Sequence, residues 1–242
     1  MIDHARLVAH ARARVRHRPV GFDPAMPVFV VCRDRVSSLL RLLGWLDDEG
    51  MTNIVLVDNA STYPPLLRFY ERTHHRVVRL GANLGHHAAW DAGLVDSVAG
   101  RKPYVVTDPD VVPEEAAHGA VRTFIRLLNR HPTYVKVGFG LRIDDLPDQY
   151  AGKQDVLDWE ASAWQHAIGP EVFHAPIDTT FAVYRPSVRA PTLGPAIRTG
   201  GRLVARHEPW YVDSARLDEE ERYYRDHARA DVTTWAGPTG SP

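Results

Sequence analysis

From Pro27 to about Arg142, short apolar runs alternate with stretches of helical period, and this alternation limits the fold more than any other feature of the chain. Strands are expected at Val28 to Cys32, Ile54 to Val57, Val77 to Leu80, Tyr104 to Thr107 and Val135 to Leu141. Between them, Val36, Leu39, Leu40, Leu43 and Leu46 repeat at helical spacing until Gly50. Further helices are expected around Leu66, Leu67 and Tyr70, from Ala88 to Val98, and from Pro113 to about Asn129. Strands alternating with helices imply crossover units, hence an α/β fold with an open, mostly parallel, Rossmann-like sheet and helices on both faces.

After Arg142 the rhythm changes. Acids and tryptophans cluster between Asp144 and Ile168, Thr180 to Tyr184 and Leu203 to Arg206 suit short strands, and Asp218 to Arg229 suits a charged helix. Residues 1–26 read as a basic arm or surface helix, 27–229 as one domain with halves at 27–142 and 143–229, and 230–242 as a disordered tail rich in Gly, Pro, Ser and Thr. The second half forms the smaller, acceptor-side region of that domain.

Composition excludes several classes. A formal net charge of -1 gives no bulk electrostatic case for a nucleic-acid or membrane partner. The single cysteine, Cys32, excludes an intrachain disulfide framework and a cysteine-based zinc site, and suits a reducing compartment. No apolar run approaches the roughly 18 residues of a membrane span, and the arginine-bearing N-terminus lacks the apolar core of a secretory signal. A cytoplasmic location is the expectation.

In an open parallel sheet, ligands bind outside the carboxyl ends of the strands. Those ends carry Cys32-Arg33-Asp34-Arg35, Asp58-Asn59-Ala60-Ser61, Gly81-Ala82-Asn83-Leu84-Gly85 and Asp108-Pro109-Asp110. Residues i and i+2 of an extended segment share a side, so Asp108 and Asp110 can face one ligand, and Pro109 restricts how far they swing apart. Carboxylates placed this way suit a hard divalent cation on a phosphate group; the alternative is a proline turn with two solvated acids. Asp58 can accept from a nucleobase or ribose, or it can cap an Asx-turn with Ser61.

Taken in order, Pro27-Val28-Phe29-Val30-Val31, Val55-Leu56-Val57-Asp58-Asn59-Ala60-Ser61, Asn83-Leu84-Gly85 with Ala88, Ala89 and Gly93, and Asp108-Pro109-Asp110 resemble a GT-A-fold glycosyltransferase of the family 2 type. The resemblance covers Pro27 to about Arg142. It implies a metal-dependent enzyme that moves a sugar from a nucleoside diphosphate sugar to an acceptor hydroxyl on a glycan, lipid-linked or small molecule. Mn²⁺ or Mg²⁺ would sit on Asp108 and Asp110, and Arg33, Asp58, Asn83, Gly85 and Asp108 would line the nucleotide.

The distal half matches less closely. Arg206-His207-Glu208-Pro209-Trp210-Tyr211 resembles the late segment in which a histidine completes the metal site, which would make His207 the third ligand; otherwise it is a loop histidine. The Glu-Asp pair that supplies the general base in inverting relatives is missing. Asp178 ranks first as its replacement, ahead of the Asp144-Asp145 pair and of Asp158 with Glu160. Trp159 and Trp164 are core residues or a platform for an acceptor. The pairs His74-His75 and His86-His87 lack a zinc-protease frame and read as surface residues. If His207 joins the metal only with ligand, residues 199–213 should be mobile beforehand, hinged at Gly200 and Gly201. Two other functions remain open: a sugar-phosphate nucleotidyltransferase, disfavoured by the lack of glycine after the first strand, and a non-catalytic sugar-binding domain.

Overall fold

The computed structural model describes residues 17–191 and 194–228. Residues 1–16 of the expected arm and the whole of the expected tail lie outside the described residues. The remainder of the arm, from His17 to Met26, is not helical. It is tied to the domain at Asn129, with Val20 N donating to Asn129 Oδ1 and Asn129 Nδ2 donating to Val20 O, each at 2.8 Å.

Among the described residues, ten strands form one sheet: β1 (Val28–Cys32), β2 (Ile54–Asp58), β3 (Arg76–Arg79), β4 (Tyr104–Thr107), β5 (Val111–Pro113), β6 (Lys136–Leu141), β7 (Ala167–Gly169), β8 (Val172–His174), β9 (Ala182–Tyr184) and β10 (Ala196–His207). Their order is β3-β2-β1-β4-β9-β6-β10-β8-β7, with β5 on the far end of β10. Strands β3, β2, β1 and β4 are parallel neighbours, and β6 is parallel to β10. Antiparallel pairing enters where β9 inserts between β4 and β6, and where β5 and β8 join β10. The expected open, mostly parallel α/β sheet is therefore present, with an antiparallel extension toward the distal half.

The strands read as unbroken apolar runs because both faces of the sheet are covered. Val28, Val30 and Cys32 point to one core with α1 (Ser37–Asp48) and α4 (Ala120–Arg130), while Phe29 and Val31 point to a second core with α3 (Ala88–Asp91). The pleat of β2 divides its side chains in the same way, Ile54 and Leu56 against Val55 and Val57. The remaining helices are α2 (Pro64–Tyr70), α5 (Lys153–Glu160) and α6 (Glu219–His227).

Two expected helices are shorter than their hydrophobic period suggested. The one expected from Ala88 is confined to Ala88–Asp91, and a π-turn at Val95–Ala99 follows Gly93, whose φ is 67°. The one expected from Pro113 starts only at Ala120, because Val111–Pro113 is drawn into the sheet and Gly119, at φ 76°, breaks the approach. The larger departure is β10. Expected as a four-residue strand, it spans twelve residues, and Thr199 is 1% exposed at its centre. Its ladder with β6 breaks between Thr199 and Val204, where Gly200 and Gly201 bulge out and Thr199 Oγ1 donates to Leu203 O at 2.7 Å. Gly200 and Gly201, expected as a hinge, thus lie in a bulge of a central strand.

Gly138 shows how tightly β9 is wedged in. A Cβ at Gly138 would lie 2.1 Å from Phe181 O and 3.0 Å from Ala182 Cα, both backbone atoms that move only if β6 and β9 separate. Gly138→Ala is expected to destabilise the fold by about 1–3 kcal/mol, measured as a lower urea midpoint with an unchanged slope. A midpoint equal to the parent's would mean that this strand pair yields without cost.

Candidate functional site

The carboxyl ends of β1, β2, β3 and β4 open on a cleft of about 260 Å³. From the first strand end come Arg33 and Arg35, from the second Asn59, from the third Asn83 and Gly85, and from the fourth Asp108 and Asp110. The opposite wall is built by the distal half, with Glu160, Asp178, Thr179, Arg198 and His207. Tyr224 of α6 closes one end, and Trp159, 58% exposed, flanks the mouth.

Local chemistry explains how the strand ends hold this shape. Asp34 and Ala60 take φ values of 49° and 61°, turning the chain sharply after β1 and β2. Asp34 Oδ1 accepts from Thr62 N at 2.6 Å and Tyr63 N at 2.8 Å, which compensates that strain with charge-assisted bonds. Asn59 acts as a clip between loops: its Nδ2 donates to Asn83 Oδ1 at 2.8 Å and Gly85 O at 2.9 Å, and its Oδ1 accepts from Leu84 N at 2.7 Å. Arg33 Nη1 donates to Asn59 O and Ala60 O at 2.9 and 3.1 Å.

Asp58 has a different situation from the one expected. It is 1% exposed and does not border the cleft; Oδ1 accepts from Ser61 N at 3.0 Å, and Oδ2 lies 3.2 Å from Arg79 Nε. These partners make it the Asx-type cap of the turn that carries Asn59 into the cleft. Asp145 also lies away from the cleft, in an ionic cluster with Arg142 at 3.1 Å and Arg206 at 2.5 Å, where Tyr211 OH donates to Oδ1 at 2.7 Å. The pull of those donors and cations outweighs burial and holds its carboxyl below the usual range, which makes it a poor proton acceptor. Its neighbour Asp144 is solvent-exposed on Arg142, and Glu160 is tied up in a buried ion pair with Arg198. Asp178 is the base candidate left on the cleft wall.

Asp108 and Asp110 enter the cleft together. Burial, then the charge of Asp110, pushes the Asp108 carboxyl well above the ordinary carboxylate range, and the bond from Thr179 Oγ1 to Oδ2 at 3.0 Å only partly offsets this. Asp110 is compensated differently. Arg35 Nε lies 3.3 Å from its Oδ2 in an ion contact off the hydrogen-bond line, and His207 Nε2 lies 3.9 Å from Oδ1. His207 arrives by backbone pairing: β10 runs antiparallel to β5 with His207 opposite Val111, and Glu208 N donates to Asp110 O at 2.9 Å. Burial lowers the His207 imidazole below its ordinary value, so it is neutral at pH 7, and its Nδ1 is buried without a hydrogen-bond partner.

Two carboxylates and a neutral imidazole with an unpaired buried nitrogen form a donor set that fits Mn²⁺ or Mg²⁺, with nitrogen favouring the former. The three do not converge as one atom each within 4.8 Å. Among the described residues, the His, Cys, Asp and Glu side chains that do so are His86, His87 and Asp178. Arg35 and Asn59 line the cleft from the strand ends named in the sequence, though neither was assigned a role there, and Glu160 entered only as an alternative base. Thr179, Arg198 and Tyr224 line it with no sequence signal to mark them.

No protein-family model matches the chain, and no curated protein matches it in sequence. Among solved structures, it is similar to a mannosyltransferase, PcManGT from Pyrobaculum calidifontis, in complex with GDP-Man and Mn²⁺. The identity is 18%, the TM-score is 0.49, and the match covers 92% of this chain and 67% of that one. Among the described residues, no helix is long and apolar enough to cross a membrane.

Because the folded-state affinity of Asp108 for its proton exceeds that of the unfolded chain, ionising it costs the native state. The cost is absent below the unfolded value of 3.8 and complete above the raised folded one. In chelator, Asp108→Asn should therefore be more stable than the parent near pH 7, with the gain shrinking as pH falls toward the ordinary carboxylate range. Urea denaturation at both ends of that range checks it, and a less stable variant near neutral pH would contradict it.

Proposed function

We propose that this chain is a metal-dependent glycosyltransferase of GT-A type, which moves a sugar from a nucleoside diphosphate sugar to an acceptor hydroxyl. The observation that carries the reading is the Asp108-Pro109-Asp110 turn: two carboxylates at the end of a central strand, one strongly desolvated, facing a cleft lined by groups from three other strand ends. A carboxyl whose ionised form is disfavoured by burial and a neighbouring carboxylate is one that a bound cation would stabilise as the anion. The order of motifs from Pro27 to Asp110 supports the same reading independently.

In this account Arg33, Asn59, Asn83 and Gly85 bind the nucleotide, and Asp58 contributes by holding the turn behind Asn59. Asp108, Asp110 and His207 would hold Mn²⁺ or Mg²⁺, which when bound neutralises the leaving diphosphate as a Lewis acid. Trp159, exposed at the mouth, offers an apolar face to the acceptor. As the acceptor oxygen bonds to the anomeric carbon and the bond to the diphosphate oxygen breaks, the Asp178 carboxylate takes the acceptor proton. Its backbone is fixed for that task, since Asp178 O accepts from Lys136 Nζ at 3.4 Å and Tyr184 OH at 3.3 Å.

Incubation of the protein and Mn²⁺ with a panel of nucleoside diphosphate sugars, with and without acceptor alcohols, is expected to reveal acceptor-stimulated release of diphosphate. Asp178→Asn should lower transfer by about 100-fold or more with little change in nucleotide affinity, and Asp110→Asn should abolish it. Parent-level turnover by Asp110→Asn would remove the metal from the mechanism. Nucleotide-sugar binding without consumption of any donor would make the domain a binding module.

A further inference from the structure

Beside Asp108 and Asp110, at the border of the cleft, three metal-ligating side chains meet that the transferase reading does not use together. His86 and His87 occupy the short turn Gly85–His87, and Asp178 the loop before β9. One donor atom from each lies within 4.8 Å of the other two. The two imidazoles are 4.0 Å apart between centroids and inclined at 72°, an edge-to-face contact and not a stack.

The scaffold on each side is firm. His87 rests edge-on against Trp90 at 6.2 Å, Trp90 Nε1 donates to Tyr104 OH at 3.1 Å, and Tyr104 OH donates to Val188 O at 2.8 Å. On the other side the carbonyl of Asp178 is anchored to Lys136 and Tyr184, leaving its carboxylate exposed. The three side chains share a second hollow of about 260 Å³, also lined by Thr179 and Pro191. Burial, then the neighbouring His86, keeps His87 below the usual imidazole range, hence neutral at pH 7, the form that binds metal. Lys136 is the opposing charge, but its ammonium is directed at the carbonyls of Ile177 and Asp178, and burial pushes it down to about 8.

We infer that His86, His87 and Asp178 form a site for a divalent ion of the Zn²⁺ class, separate from the one at Asp108 and Asp110. Two imidazoles and one carboxylate are a three-ligand set with which proteins hold Zn²⁺ while leaving a position for water, whereas Mg²⁺ prefers oxygen donors throughout. Binding at this site does not depend on the transferase reading. One consequence does rest on it: an ion held here occupies the Asp178 carboxylate, so Zn²⁺ inhibits transfer while Mn²⁺ at the other site supports it.

The test is Zn²⁺ titration by calorimetry into the full chain carrying Asp108→Asn and Asp110→Asn, which removes the other carboxylates. Saturable binding is expected there, weakened by about 100-fold or more when His86→Gln, His87→Gln or Asp178→Asn is added, since even outer partners of a metal ligand account for 10–100-fold. His74→Gln, in the chain's other histidine pair, should leave the affinity as it was. Co²⁺ absorption in the otherwise unaltered chain gives a second reading: the histidine-ligated band should survive Asp110→Asn and vanish with His87→Gln. Absence of saturable binding in the Asp108→Asn, Asp110→Asn chain, or an affinity unchanged by His87→Gln, overturns the site. Zn²⁺ binding by an otherwise unaltered chain that, supplied with Mn²⁺ and no Zn²⁺, consumes no nucleoside diphosphate sugar would instead count against the transferase reading alone.

Discussion

The short antiparallel ladder between Val111–Pro113 and Ala205–His207 is the constraint on which the site depends. It converts a separation of almost a hundred residues into neighbouring positions, because His207 sits opposite Val111 and Glu208 N closes the ladder on Asp110 O. The bulge at Gly200 and Gly201 makes this possible. It lets one strand pair with β8 in its first half and β5 in its second while pairing with β6 on both sides of the bulge. Side-chain geometry at the cleft therefore rests on backbone hydrogen bonds, whose register cannot drift without exposing the apolar face of β10.

Charge placement follows from that framework. Asp110 is buried beside Arg35, and Arg35 in turn is held by Glu221 of α6 at 2.7 Å and lies 3.9 Å over the Tyr224 ring. The same helix reaches the start of α1, where the Glu220 carboxylate accepts from Val36 N at 3.0 Å and Ser37 N at 3.1 Å, a cap supplied from far along the chain. A buried ion pair is weak evidence for stability, since desolvation consumes most of its Coulomb energy. Its effect here is positional: α6 fixes Arg35, Arg35 restrains Asp110, and the carboxylate stays turned into the cleft. At Asp108, burial first and then the charge of Asp110 raise the carboxyl's affinity for a proton.

The nucleotide-side half of the fold was legible because its strands are buried on both faces and therefore stand out as continuous apolar runs. Val28–Cys32 and Tyr104–Thr107 match their expected limits, and the strand ends lined the cleft with Arg33, Asn83, Gly85, Asp108 and Asp110 as expected. Asp58 shows the limit of that reasoning. A carboxylate at a strand end satisfies both a ligand role and a turn cap, and only the three-dimensional partners Ser61 and Arg79 separate them. In the distal half the strands β7 and β8 are three residues long and half exposed, too short for any period to emerge. The Glu160–Arg198 and Arg35–Glu221 pairs join elements remote in sequence, so no local pattern announces them.

The central claim is that Asp108 and Asp110 hold a divalent cation on the diphosphate of a bound nucleotide. Thermodynamic linkage tests it most directly: each ligand must raise the affinity for the other by the same factor. Calorimetric titration of a nucleoside diphosphate in Mn²⁺ and in chelator, with the reciprocal Mn²⁺ titration, should give matching enhancements of about tenfold or more, a coupling of about 1.4 kcal/mol. Asp110→Asn should erase that coupling while leaving the weaker metal-free binding in place. Equal diphosphate affinity with and without Mn²⁺, or full coupling in the Asp110→Asn protein, would contradict the account.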